Sequence, residues 1–76
     1  MEKKQFFSLA HVMMDLWNET DCGYWSVSDG VVTQFVDWHG CGYFEQLLSS
    51  NNVPFPSGKI GTVSEAEDGR YYTWYL

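Results

Sequence analysis

Asp37-Trp38-His39-Gly40-Cys41-Gly42-Tyr43 is the stretch on which the reading of the fold turns. Its two glycines flank a cysteine and follow a histidine, at the point where alternating apolar residues give way to helical spacing. Read as a joint from strand to helix, it divides the 76 residues into two halves of similar outline, each a helix followed by a hairpin. Read as a reactive centre, it sets an imidazole and a thiol two residues apart.

Upstream of the joint, Tyr24-Trp25-Ser26-Val27 and Val31 to Trp38 are β-prone runs separated by Ser28-Asp29-Gly30. Asp-Gly tolerates the positive φ of a tight turn, which predicts a β-hairpin. With a two-residue turn, Trp25, Val27, Val32, Val36 and Trp38 share one face, and Tyr24 and Phe35 share the other. A three-residue loop that includes Ser28 would shift the pairing. Before the hairpin, Phe6, Leu9, Ala10, Met13, Leu16 and Trp17 recur at intervals of three and four, predicting a helix over 4–17. Phe7, His11 and Met14 form a second stripe beside the first, either extra core or a contact surface, with core the preferred reading for a stripe that adjoins the main one. Asn18 to Gly23 are turn formers that end the helix.

Downstream, Tyr43-Phe44-Glu45-Gln46-Leu47-Leu48 has the spacing of a short second helix ending near Ser50-Asn51-Asn52. Val53-Pro54-Phe55-Pro56 cannot continue it, because proline lacks the N–H and restricts the residue before it. Ile60 to Ala66 and Arg70 to Leu76 repeat the hairpin signature, with Asp68-Gly69 expected at the turn. Here Val63, Tyr72, Trp74 and Leu76 are expected on one face, and Tyr71, Thr73 and Tyr75 on the other. The order αββαββ predicts an α+β fold, a four-stranded antiparallel sheet with both helices packed on one face, in one domain over 1–76. The opposite face is left open to solvent or to a partner.

Composition bounds the function. A chain this short buries only about 60% of its unfolded surface, yet 45% of its residues are hydrophobic and 18% aromatic. No apolar run approaches the length of a membrane span and no secretory leader is evident, which predicts a soluble, cytoplasmic protein. Ten acids oppose four bases for a net charge of −6, and Asp15, Glu19, Asp21, Asp29, Asp37 and Glu45 all fall between Lys4 and Lys59 with no Lys or Arg among them. Such a surface disfavours nucleic acid and anionic membranes and favours a basic protein partner. The same excess also serves solubility.

Cys22, His39 and Cys41, with Asp37 or His11, match no standard zinc spacing, so no metal or cofactor is expected. Cys22 and Cys41 flank the first hairpin, where a disulfide would fit, but cysteines in such a chain are expected reduced. Cys41 at a helix start beside His39 has the outline of an activated thiol. No oxyanion site or oriented base accompanies it, and the expected activity is non-enzymatic. Phosphate-binding loops are absent.

The aromatics carry more weight, since 14 among 76 residues exceed what a two-layer core of this size holds comfortably. Tyr24, Phe35, Tyr71 and Tyr75, on the faces opposite the tryptophans, are the expected partner-binding aromatics. Asp15, Glu19, Asp21, Asp29, Glu65, Glu67 and Asp68 complete the expected binding set. A tiny, acidic, aromatic-rich chain without catalytic motifs is similar in kind to the phage and mobile-element proteins that bind and block a host protein, such as a nucleic-acid-processing enzyme. The competing expectation is a self-associating accessory domain in which the aromatic face is a homodimer interface.

Overall fold

The computed structural model describes residues 2–20 and 24–76, except the side chains of residues 19 and 20. Two helices and four strands follow in the order α1 (Lys3–Thr20), β1 (Tyr24–Ser28), β2 (Val31–Asp37), α2 (Cys41–Ser50), β3 (Gly61–Glu65) and β4 (Gly69–Tyr75). The strands form one antiparallel sheet in the order β1-β2-β4-β3, giving the α+β architecture that the sequence predicts.

Alternation decides which face the helices cover. On β2, Val32, Gln34 and Val36 are buried while their neighbours are not, and on β4 the buried pair is Tyr72 and Trp74. All of these but Gln34 share one core with Leu9, Val12, Met13 and Leu16 of α1 and with Cys41, Phe44 and Leu48 of α2. In α1 the buried positions recur at three- and four-residue steps, but the stripe is narrower than the sequence suggests. Val12 is fully buried, whereas Trp17 is 53% exposed and Phe7 and Met14 point outward, so the second stripe is surface. A helix lying on a sheet buries only a limited apolar sector, and these side chains lie beyond its edge.

The first hairpin turns through two residues, Asp29 at φ 53° and Gly30 at φ 76°, with Ser28 opposite Val31. Paired positive φ values define the turn whose twist matches that of the strands. The second hairpin differs from expectation. Its turn is Glu67-Asp68, closed by the Ala66 N–H donating to the Gly69 carbonyl at 2.8 Å, and Glu65 pairs with Arg70. Gly69 therefore belongs to β4. It is glycine because of crowding: an added Cβ would lie 2.2 Å from the Val36 carbonyl oxygen.

The loop after α2 is a third covering element. Pro56 is fully buried, Phe55 meets the Tyr72 ring edge-on at 6.0 Å, and Trp74 Nε1 donates to the Pro54 carbonyl at 2.8 Å. This loop and α2 shield β4, while no element among the described residues covers β1, all five of whose residues are exposed. Trp25 and Val27 lie on the helix-facing side, as predicted, yet remain at the surface.

The spacing of β2 and β4 gives a direct test. Gly69→Ala forces a methyl into the backbone of Val36 and should cost roughly 1–3 kcal/mol, lowering Tm by about 4–8 °C for each kcal/mol. Gly42, in α2, has nothing within 4 Å of an added Cβ, so Gly42→Ala should raise Tm through the roughly 0.8–1 kcal/mol helix preference of alanine. Thermal melts of the two variants that moved in the same direction would contradict the described backbone.

Candidate binding surface

The joint between β2 and α2 is built from short-range bonds. Asp37 Oδ1 accepts from the Gly40 N–H at 2.9 Å, and the Phe44 N–H reaches the Gly40 carbonyl at 2.8 Å to begin the helix. Cys41, the first residue of α2, turns into the core and its Sγ donates to the Val36 carbonyl at 3.5 Å. It is a free, buried thiol, while His39 is exposed. The imidazole and thiol that lie together in sequence thus lie on opposite sides of the turn's surface. Cys22 falls outside the described residues. Among the described residues, no three His, Cys, Asp or Glu side chains gather closely enough to hold a metal ion.

Trp38 and Tyr43, the aromatics of the joint, are surface residues, Trp38 at 45% exposure. Trp38 instead ties the joint to the second hairpin. Its Nε1 donates to the Glu67 carbonyl at 2.9 Å, and the Arg70 guanidinium carbon lies 5.5 Å from its ring centroid, within reach of a cation–π attraction. Arg70 also donates to Glu45 at 2.8 Å and to Glu65 at 3.1 Å. The buried Tyr72 hydroxyl donates to the same Glu45 oxygen at 2.5 Å. Burial, followed by the bond to Glu45 and the neighbouring Cys41, pushes the Tyr72 hydroxyl well above its ordinary pKa. This cluster staples α2 to β4, and it occupies Glu65, one of the acids expected to meet a partner.

The uncovered face of the sheet holds the four expected aromatics. Tyr24 opposes Phe35, and Phe35 opposes Tyr71, so three aromatic rings line up across β1, β2 and β4. Ring centroids are 6.4 Å apart for Tyr24 and Phe35 and 4.7 Å for Phe35 and Tyr71, both within the range of favourable aromatic contact. Tyr75 stands on the same face, opposite Val31, with a row of Thr33, Thr73 and Thr62 between it and the aromatic row. A hydrogen bond between the Thr33 and Thr73 hydroxyls, at 3.5 Å, crosses that row.

The acids do not converge. Asp29 is exposed at the first hairpin turn, and Glu67 and Asp68 are exposed at the second. Because β2 and β4 are antiparallel, with Val31 opposite Tyr75 and Asp37 opposite Gly69, these turns lie at opposite ends of the sheet. Asp29, Glu67 and Asp68 make no ion pair among the described residues, whereas Asp15 lies 3.6 Å from His11. Asp21 and the side chain of Glu19 lie outside the described residues. The sequence reading did not bring together a further apolar set at the β1 edge of the sheet, where Met13, Met14, Trp17, Asn18, Tyr24 and Trp25 line a groove of about 490 Å³.

No protein-family model, curated protein or solved structure matches this chain. No helix among the described residues is long and apolar enough to cross a membrane.

The Tyr72 staple predicts a pH signature. A hydroxyl whose folded-state pKa is raised contributes its full stabilisation below the unfolded value near 10 and loses it as the pH climbs above 10, where the unfolded chain ionises more readily. In an absorbance titration, one of the five tyrosines should resist ionisation above pH 10 until the fold opens. Tyr72→Phe should remove that component. Its persistence in the variant would show that another tyrosine is the protected one.

Proposed function

We propose that this protein is a non-enzymatic binding domain of the inhibitor kind, and that the open face of its sheet is the surface that docks. The observation that carries the reading is the row Tyr24, Phe35 and Tyr71, three neighbouring rings on a face that no helix or loop among the described residues covers. Rigid aromatic side chains supply contact area at little entropic cost and are over-represented among residues that dominate binding. Asp29 at one end and Glu67 and Asp68 at the other frame this row with uncompensated negative charge. A partner with basic margins around an apolar centre, such as an enzyme that handles nucleic acid, complements that arrangement. The rim charges would speed encounter, and the central rings would slow release.

The test uses affinity capture from the source cell at low and high salt, with three forms of the protein. Wild type is expected to retain a basic protein that is released by salt. Phe35→Ser with Tyr71→Ser should abolish retention, and Asp29→Asn with Glu67→Gln and Asp68→Asn should weaken it most at low salt. Equal recovery by wild type and the Phe35/Tyr71 variant would exclude the open face as the binding surface.

A further inference from the structure

We infer that β1 is a self-pairing edge, through which two copies of this chain join their sheets antiparallel about a two-fold axis at Ser26. The inference concerns the edge of the sheet and is independent of what docks on its open face.

Hydrogen-bond phase selects the register. The Trp38 N–H donates to the Asp68 carbonyl and the Leu76 N–H to the Gly30 carbonyl, so the even-numbered residues of β2 direct their backbone groups toward β4. The odd-numbered residues of β2 therefore face β1, where Val31, Thr33 and Phe35 oppose Ser28, Ser26 and Tyr24. On β1 this leaves the N–H and C=O of Trp25 and Val27 aimed outward from the sheet. Antiparallel pairing about Ser26 sets Trp25 opposite Val27 of the second copy, and Val27 opposite Trp25 of the second copy. Each such pair can exchange both of its N–H···O=C bonds, so every outward group of the two residues finds a partner.

The side chains agree with that register. Trp25 is 42% and Val27 47% exposed on the helix-facing side, where nothing among the described residues covers them. The two-fold places each against the other's counterpart, an aromatic with a β-branched residue, a favourable cross-strand pairing. The groove formed with Met14 and Trp17 would close over the same seam. Together these residues expose on the order of 400 Å² per copy, about 800 Å² in all, the size of a weak, transient interface.

Charge favours a second copy over the basic partner of the open face. Tyr24-Trp25-Ser26-Val27-Ser28 contains no acid in a chain of net charge −6, and no lysine or proline of the sort that protects an edge. Two like-charged copies meet there without bringing a strand carboxylate into the seam.

Sedimentation of the full chain should give a species at twice 8.8 kDa, with a Kd of about 1–100 μM. Val27→Pro removes an outward N–H while leaving the ladder to β2 intact, so it should weaken the dimer at least tenfold with an unchanged far-ultraviolet spectrum. Tyr71→Ser, on the open face, should leave the dimer in place. A cross-link guards against a proline variant that fails to fold. In a Cys22→Ser background, Ser26→Cys should form a disulfide dimer under copper-catalysed air oxidation, because residues at the axis approach to about 4.5 Å between Cα atoms. Val27→Cys, which faces Trp25 and not itself, should not. A wild-type monomer at about 100 μM, or a dimer lost with Tyr71→Ser and kept with Val27→Pro, overturns the inference.

Discussion

The close approach of β2 to β4 is the constraint on which the rest of the molecule depends. It joins residues 31–37 to residues 69–75, and it requires a strand position with no side chain, because the carbonyl of Val36 fills the space that a Cβ at residue 69 would take. Once the strands are at that distance, Tyr72 and Trp74 lie in the middle of the sheet, and their rings become the floor on which α2 and the proline loop rest. The same ladder delivers Arg70 to Glu45, Glu65 and the face of Trp38, so the joint after β2 is held from the far side of the sequence. An exposed ion pair contributes little alone. Here the cation sits between two carboxylates and a ring, and a buried hydroxyl shares one of those carboxylates.

Much of this architecture is legible in the sequence because its signals are local. Asp29-Gly30 needs positive φ at both residues, and only a tight hairpin supplies a use for that. Asp68-Gly69 presents the same letters for a different reason, since Gly69 answers a demand for space that depends on a strand more than thirty residues earlier. The turn therefore sits one residue earlier than composition suggests, and the partners of β3 shift by two. A shift of two preserves which side each residue faces, and this is why Tyr71 and Tyr75 fall on the open face despite the changed register.

Coverage was the less legible property. Trp17, Trp25 and Trp38 look like core by type and spacing, yet helix width and the reach of the loop leave all three at the surface. The pairing of Glu45 with Arg70 was equally invisible, because an ion pair across 25 residues leaves no periodic trace, and that of Glu65 with the same arginine depended on the shifted register of the second hairpin. Of the expected binding set, the aromatics are gathered on one face by parity alone. The acids are divided between the two ends of the sheet by the antiparallel geometry, so any field they present is a frame around the aromatic row and not a single patch.

The strand order β1-β2-β4-β3 carries a kinetic consequence. Each hairpin closes locally, but neither brings a complete core with it, since the inner strand of the first must meet the outgoing strand of the second across α2 and the proline loop. Closing that span costs chain entropy before any of the central rings are shielded. The rate-limiting step of folding should thus be the docking of two preformed hairpins, with local turn formation fast and early. Until that docking occurs, β2 has a bare inner edge as well as its partnered outer one, and it is this transient edge that a chaperone would have to protect.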